Sequence, residues 1–304
     1  MLQNIIALIF DCDKTLSPVY MQEPIFHKYG VKGEEFWNEK DEMVVQVRAK
    51  GITLDEECAW MNLMLRYVRE GRFKGLSNAE LRRLGGELPF FAGLPDFFTD
   101  VKQTIADEQR FKAQGISLEY YVISTGLKEM IAGSALGEHL SGIFASEFNE
   151  DENGVISEIA RALGYAKKTE IIYWLNKGGN VNPAIDVNCK LRREFRRIPI
   201  ENMIYVGDGP TDVPCFATVN KQGGMSLAVY DPNSNSAFEQ AYSLREQGRV
   251  FDFGPADFTP QAHIPRVIKQ VVREIAKRIV RRREEEILQK IGLAPGFVAP
   301  QSQG

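Results

Sequence analysis

Two aspartates stand two residues apart in Phe10-Asp11-Cys12-Asp13-Lys14-Thr15-Leu16, directly after the apolar run Ile5-Ile6-Ala7-Leu8-Ile9-Phe10. That spacing can aim both carboxylates to one side of an extended segment. A second acidic pair lies in Gly207-Asp208-Gly209-Pro210-Thr211-Asp212, where glycines let the backbone approach a ligand closely. Between them in the chain, Ser124-Thr125-Gly126 offers a hydroxyl followed by flexible backbone. Four carboxylates meeting at one place would repel one another and raise each other's pKa unless cations compensate. The set therefore asks for a divalent metal and a basic side chain. Oxygen donors with no His or Cys among them favour Mg²⁺ over zinc. Lys167 and Lys168, just ahead of a helical stretch, could each supply the basic group.

These residues need elements that bring them together. The apolar run 5–10 ends abruptly in polar residues, as a strand buried on both faces of a parallel sheet does. Three similar runs follow: Tyr120-Tyr121-Val122-Ile123, Met203-Ile204-Tyr205-Val206 and Ser226-Leu227-Ala228-Val229-Tyr230. Each acidic or hydroxyl motif comes at the end of one of these runs, and ligands of open α/β sheets bind at the carboxyl ends of strands. Helical patterns lie between them, at Pro95 to Gln114 and Thr169 to Lys177. Alternating strands and helices predict a Rossmann-like, doubly wound parallel sheet.

The stretch 18–92 differs. It has no convincing strand and carries helix-spaced residues such as Trp60, Leu63, Met64 and Tyr67. It reads as a small helical domain inserted after the first strand, with Ser17-Pro18 and Gly93-Leu94-Pro95 as its hinges. The expected domains are thus 1–17 and 93–304 as an α/β core, and 18–92 as a cap. Phe36, Trp37 and Trp60 read as core aromatics of that cap that could also line a pocket. Asn153-Gly154 predicts a tight hairpin turn within 147–158. Ile264, Val267, Ile268, Val271, Val272, Ile275 and Ile279 recur at the spacing of an amphipathic helix over 264–291. That helix could pack on the core or pair two copies of the chain. The Pro/Gly/Ser/Gln-rich tail from about 295 is expected to fray.

Composition narrows the classes. The chain has 304 residues, 44% hydrophobic and 26% charged, which excludes collagen-like and wholly disordered proteins. A net charge of −4 offers no global attraction to nucleic acid or anionic membrane. No run approaches the roughly 20 apolar residues that span a bilayer. The first residues lack the basic region and cleavage site of a signal peptide, so a cytoplasmic location is expected. The four cysteines, Cys12, Cys58, Cys189 and Cys215, show no metal-binding spacing and are expected to be reduced thiols.

The order Asp11-x-Asp13-x-Thr15, then Ser124-Thr125-Gly126, then Lys168, then Gly207-Asp208-Gly209-x-x-Asp212 resembles the haloacid dehalogenase-like phosphohydrolase superfamily. The resemblance covers residues 5–16 and 95–232. It is strongest to phosphoserine phosphatase-like members, which carry a helical cap between the first two motifs and a hairpin before the lysine. It implies Asp11 as nucleophile and Asp13 as general acid and then base, with the Asp13 backbone carbonyl also a metal ligand. It implies that Thr15 supports the loop, that Ser124 donates to a phosphoryl oxygen, and that the Thr125 and Gly126 backbone assists. Lys168 fits the family's Lys-x-Glu-hydrophobic run and would neutralise developing charge, with Lys167 as the alternative. Asp208 would bind Mg²⁺ with Asp11, and Asp212 would hold the lysine or a metal-bound water. Dehalogenases of the superfamily lack an acid at the place of Asp13, so its presence points to phosphoryl transfer.

In the phosphoserine branch an early cap glutamate holds the substrate amine, and Glu23 falls near that place. The branch's later cap arginine has no counterpart; the corresponding stretch is Glu56-Glu57-Cys58-Ala59-Trp60. The expected function is a Mg²⁺-dependent phosphatase acting on a small phosphorylated metabolite through an aspartyl-phosphate, with no nucleic-acid or membrane partner. The alternatives are a phosphotransferase or mutase using the same intermediate, and a non-catalytic binding protein that kept the fold.

Overall fold

The computed structural model describes residues 3–292. The expected frayed tail from about 295 lies outside the described residues. In chain order the elements are β1 (Ile5–Phe10), α1 (Glu23–Tyr29), α2 (Gly33–Ala49), α3 (Glu56–Arg69), α4 (Asn78–Gly85), α5 (Asp96–Ala106), α6 (Gln109–Ala113) and β2 (Ser117–Leu127). There follow α7 (Lys128–Gly133), β3 (Gly142–Glu150), β4 (Ile156–Arg161), α8 (Tyr165–Lys177), β5 (Met203–Gly207), α9 (Val213–Lys221), β6 (Met225–Tyr230), α10 (Asn235–Glu246), β7 (Asp252–Pro255) and α11 (His263–Gly292).

The seven strands form one sheet in the order β4-β3-β2-β1-β5-β6-β7. All neighbouring pairs are parallel except β3 and β4, the hairpin at one edge. The strand order reverses direction between β1 and β5, which makes that pair the switch point of a doubly wound sheet. β1 is central and sends alternate residues to opposite faces: Ile6, Leu8 and Phe10 into one apolar cluster, Ala7 and Ile9 into the other. This two-sided burial explains why the strand reads as an unbroken apolar run. The four strands expected from apolar runs are β1, β2, β5 and β6. β7 is a short edge strand containing Gly254 and Pro255, so it carries no such run.

The hairpin turns at Gly154, whose φ of 73° suits glycine. The helix expected over Pro95 to Gln114 is broken in two, α5 and α6, at Asp107-Glu108. The helix expected from Thr169 starts earlier, so Lys167 and Lys168 lie inside α8 and not ahead of it.

Residues 18–92 hold four helices and no sheet strand. The apolar cluster on one sheet face continues without a break into them, through Phe26, Phe36, Tyr67, Phe73 and Leu84. α4 starts at an N-cap in which Ser77 Oγ accepts the Glu80 N–H at 3.0 Å. It then meets α7 backbone to backbone: a Cβ on Gly85 would lie 2.0 Å from the Met130 carbonyl oxygen, and one on Gly133 would lie 1.8 Å from that of Arg82. Asn78 Nδ2 also donates to the Phe148 carbonyl of β3 at 3.1 Å. α4 is therefore fastened to the sheet side of the molecule.

α11 lies across the sheet with Ile264, Ile268, Val272, Ile275 and Ile279 buried. Its apolar stripe packs on the protein's own core. Among the described residues no helix is long and apolar enough to cross a membrane. The four cysteines are unpaired, with Cys12 and Cys215 buried.

Candidate active site

The site sits at the sheet's switch point. The Asp11 N–H donates to the Val206 carbonyl at 3.0 Å and extends the β1–β5 ladder by one bond, so the end of β1 stays beside the end of β5. The chain then turns sharply, with the N–H groups of Thr15, Leu16 and Ser17 all donating to the Cys12 carbonyl. Lys14 takes a left-handed φ of 61° in this turn, a conformation disfavoured by about 1 kcal/mol for a residue with a Cβ. Its ammonium donates to the Pro18 carbonyl at 2.7 Å. The Asp13 carboxylate accepts the Met21 N–H at 3.2 Å, which ties the turn to the start of the helical insert.

Three charges form a buried bridge. Lys168 Nζ lies 3.0 Å from Asp11 Oδ2 and 2.8 Å from Asp212 Oδ1. The lysine is fully buried, and Tyr205 Oη donates to the same Asp212 oxygen at 2.8 Å. Burial alone would lower the Lys168 pKa, but the carboxylates of Asp11 and Asp212 raise it overall, so the ammonium is charged. Asp11 is held at both oxygens, since Oδ1 accepts the Cys12 N–H at 2.7 Å. Burial pushes the Asp11 carboxyl up to about 6, against the pull of Lys168. Asp13 has no lysine in contact. Burial and the Asp11 charge push it up to about 8. Asp208 is raised well above the usual carboxylate range by burial and by Asp212 and Asp11.

Lys167, by contrast, is exposed on α8 and pairs with Glu170 at 2.7 Å. One residue along a helix is 100° of rotation, so only Lys168 faces the sheet end.

Ser124 is buried three residues before the end of β2, and its Oγ accepts the Gly126 N–H at 3.1 Å. Thr15 Oγ1 lies 3.4 Å from Asp208 Oδ1. A Cβ on Gly126 would lie 2.2 Å from the Met21 side chain, so this position needs glycine. A cavity of about 540 Å³ opens over Asp11, Asp13, Thr125, Gly126 and Asp208. Its far wall comes from the helical insert, through Tyr20, Gln22, Trp37, Lys40, Glu56, Glu57 and Trp60. Glu23 is not in that wall. It is exposed, the first residue of α1, with an oxygen beside Gly33, and its neighbour Gln22 takes the place on the cavity. Phe36 is wholly buried in the insert's core, whereas Trp37 and Trp60 reach the cavity.

Sequence reading missed two groups that fix the site. Tyr205 carries a hydroxyl on an otherwise apolar strand, a signal that was visible. Gln240 of α10 donates to the Asp208 carbonyl at 3.1 Å, and nothing in the sequence around it marks this role.

Oxygens of Asp11, Asp208 and Asp212 all lie within 4.8 Å of one another. Asp212 Oδ2 is buried with no hydrogen-bond partner, and a Cβ on Gly207 would lie 2.3 Å from it. One lysine among four carboxylates leaves the cluster short of positive charge. An all-oxygen, anionic donor set of this kind fits a hard divalent cation.

No family model matches the chain. Its fold matches that of a probable phosphoserine phosphatase from Vibrio cholerae, with a TM-score of 0.52 and 16% identity over 91% of this chain and 67% of that one. It also matches a phosphoserine phosphatase solved as a phospho-aspartyl intermediate analogue, with a TM-score of 0.50 and 16% identity over 88% of this chain and 99% of the other. With its sheet order and motif order, the chain has the haloacid dehalogenase-like phosphohydrolase fold. It belongs to one family with an uncharacterised protein of Borreliella burgdorferi, to which it is 31% identical over 275 residues, 84% of this chain and 93% of the relative.

Proposed function

We propose that the protein is a phosphatase that hydrolyses a small phosphomonoester through an aspartyl-phosphate on Asp11. The observation that carries this reading is the buried Asp11–Lys168–Asp212 bridge beneath the cavity, with Asp13 two residues from the nucleophile and its carboxyl pushed up to about 8 by burial. A fixed carboxylate with its orientation held at both oxygens suits in-line attack.

In this reading the Asp11 carboxylate attacks phosphorus while the ester oxygen leaves with the proton of Asp13. The Asp13 carboxylate then takes a proton from water, whose oxygen attacks the phosphorus of the acyl phosphate. Inorganic phosphate leaves and Asp11 is regenerated. The raised pKa of Asp13 favours the protonated form that a general acid needs before the first step. Lys168 holds Asp11 in place and faces the charge that grows on the transferring group. Ser124 Oγ and the Thr125 backbone N–H are the donors offered to the phosphoryl oxygens, and the Gly126 N–H orients the Ser124 hydroxyl by donating to it. Asp11, Asp208 and the Asp13 carbonyl would hold Mg²⁺, which supplies positive charge to the phosphoryl oxygens when bound. Asp212 fixes Lys168. A cavity of about 540 Å³ walled on its far side by the helical insert supports a metabolite over a phosphoprotein, and the four unpaired cysteines support a reducing compartment, the cytoplasm.

The test is phosphate release from a panel of small phosphomonoesters, with Mg²⁺ and with EDTA. Asp11→Asn is expected to lower turnover by at least about 10³-fold with the fold intact. Full turnover in that variant would overturn the reading, and transfer of phosphate to an added alcohol instead of water would make the protein a phosphotransferase.

A further inference from the structure

A second cavity, of about 840 Å³, lies away from Asp11 and is larger than the one above it. It is a groove along α11 at the opposite end of the sheet, beside Met225, where β6 begins, and Glu201, just before β5. Its floor is apolar. Val267, Val271 and Ile275 follow at four-residue spacing and form a ridge on the helix, with Met225 and Phe251 on the sheet side. Val271 and Ile275 are buried, Val267 and Met225 are half-buried, and Phe251 is 52% exposed. The polar lining is one-sided in charge. Glu274 accepts from Gln270 at 2.9 Å and pairs with Lys277 at 3.2 Å, and Glu201 pairs with Arg282 at 2.7 Å and with Arg193. Lys269 is held by Asp100. Arg266 and Arg273, about 10 Å apart along α11, line the groove and, among the described residues, have no ion-pair partner. Arg278 lines it too, and its Nε is buried with no hydrogen-bond partner. Burial, with Arg282 and Arg281 nearby, holds that guanidinium below its usual pKa against the pull of Glu201.

The acids of the groove are spent inside the protein, and arginines remain beside apolar side chains. A guanidinium fork matches the oxygens of a carboxylate or phosphate, and a cationic ligand is repelled. A small bare anion would leave Val267, Met225 and Phe251 in water, whereas an apolar chain on the anion covers them. The volume lies within the usual range of small-molecule sites, roughly 300–1,000 Å³. From His263 to Arg278 the groove follows about four turns of helix, which suits a single chain laid lengthwise. We propose that the groove is a second binding site, for an amphiphile with an anionic head, carboxylate or phosphate, and one unbranched apolar chain. Arg266 and Arg273 attract the head, and the chain lies on Val267, Val271 and Met225 beside Phe251. The site shares no residue with the cavity over Asp11 and stands apart from the phosphatase reading.

The experiment is calorimetric titration of the full chain at low salt with laurate, lauroyl lysophosphatidylglycerol, dodecyltrimethylammonium and acetate, the amphiphiles kept below their micelle concentrations. At least one of the two anionic amphiphiles is expected to bind at a single site, about tenfold or more tighter than the cationic one and than acetate. The better of the two anions shows whether the head is a carboxylate or a phosphate. The double variant Arg266→Gln, Arg273→Gln is expected to weaken anion binding by about fivefold or more and leave the cationic amphiphile no weaker. Phe251→Ser is expected to weaken both, because it removes a contact with the chain. No saturable binding, equal affinity for anionic and cationic amphiphiles, or an affinity unmoved by the arginine pair would overturn the inference. Asp11→Asn is expected to bind as the wild type does, and loss of binding there would place the ligand over Asp11 and also overturn it. No turnover is read, so a failure of the phosphatase reading leaves these outcomes as they stand.

Discussion

At the residue scale burial raises the pKa of Asp11 and Asp13 above the usual carboxylate range. An aspartate whose pKa is higher in the folded chain than in the unfolded one binds an extra proton in the native state between those two values. The native state then holds more protons than the unfolded one, so stability falls as pH rises through that window. For Asp11 the window runs from the usual range near 3.8 to about 6, and for Asp13 from 3.8 to about 8. In EDTA, the melting temperature is expected to fall by at least about 5 °C between pH 5 and pH 8. Asp13→Asn is expected to flatten the part of the curve above pH 6. Mg²⁺ should stabilise more at pH 8 than at pH 5, because its ligands must be ionised to bind it. A melting temperature that rises with pH in metal-free protein would contradict these burial effects.

At the element scale, the placement of the helical insert depends on two glycines. α4 and α7 touch through backbone at Gly85 and Gly133, where any Cβ would enter the facing carbonyl. Gly133→Ala is expected to cost at least about 2 kcal/mol in urea unfolding, because helix backbones must separate to admit a methyl. Gly154→Ala is a useful contrast. Nothing lies within 4 Å of its Cβ position, but its φ of 73° disfavours alanine, so about 1 kcal/mol is expected. An equal, small cost at both positions would show that α4 and α7 can slide apart freely. α8 shows the same dependence on geometry: of two adjacent lysines, the helical rotation turns Lys168 inward to Asp11 and Asp212 and leaves Lys167 in solvent.

At the scale of the whole molecule, the segment after β6 completes the fold. α10 contributes Gln240 to the Asp208 loop, β7 adds the seventh strand, and α11 covers a sheet face. Seven branched apolar side chains of α11, from Ile264 to Val280, are at most 8% exposed. At roughly 1.5 kcal/mol or more each, their loss would be comparable to the whole stability of an ordinary domain. A chain ending at residue 262 is therefore expected to show no cooperative unfolding transition and no near-ultraviolet dichroism. A cooperative transition in that truncated chain would show that the core closes without α11.

Residue order alone determined the doubly wound sheet and the candidate acids, because buried parallel strands leave unbroken apolar runs and each motif follows one of them. It also determined the amphipathic helix at 264–291 and the turn at Asn153-Gly154, since both depend on local periodicity or backbone freedom. Position in space decided the rest. Lys168 and not Lys167 reaches Asp11 because the start of α8 sets which side turns inward. Glu23 points away from the cavity, and Gln22, Glu56 and Glu57 face it, because the packing of α1 to α3 sets those directions. Tyr205 and Gln240 join the site across 7 and 32 residues of sequence, through contacts that only the closed fold creates. Short-range patterns record what a residue does to its own element; which side chains meet at a cavity depends on how elements pack, and that is a property of the tertiary structure.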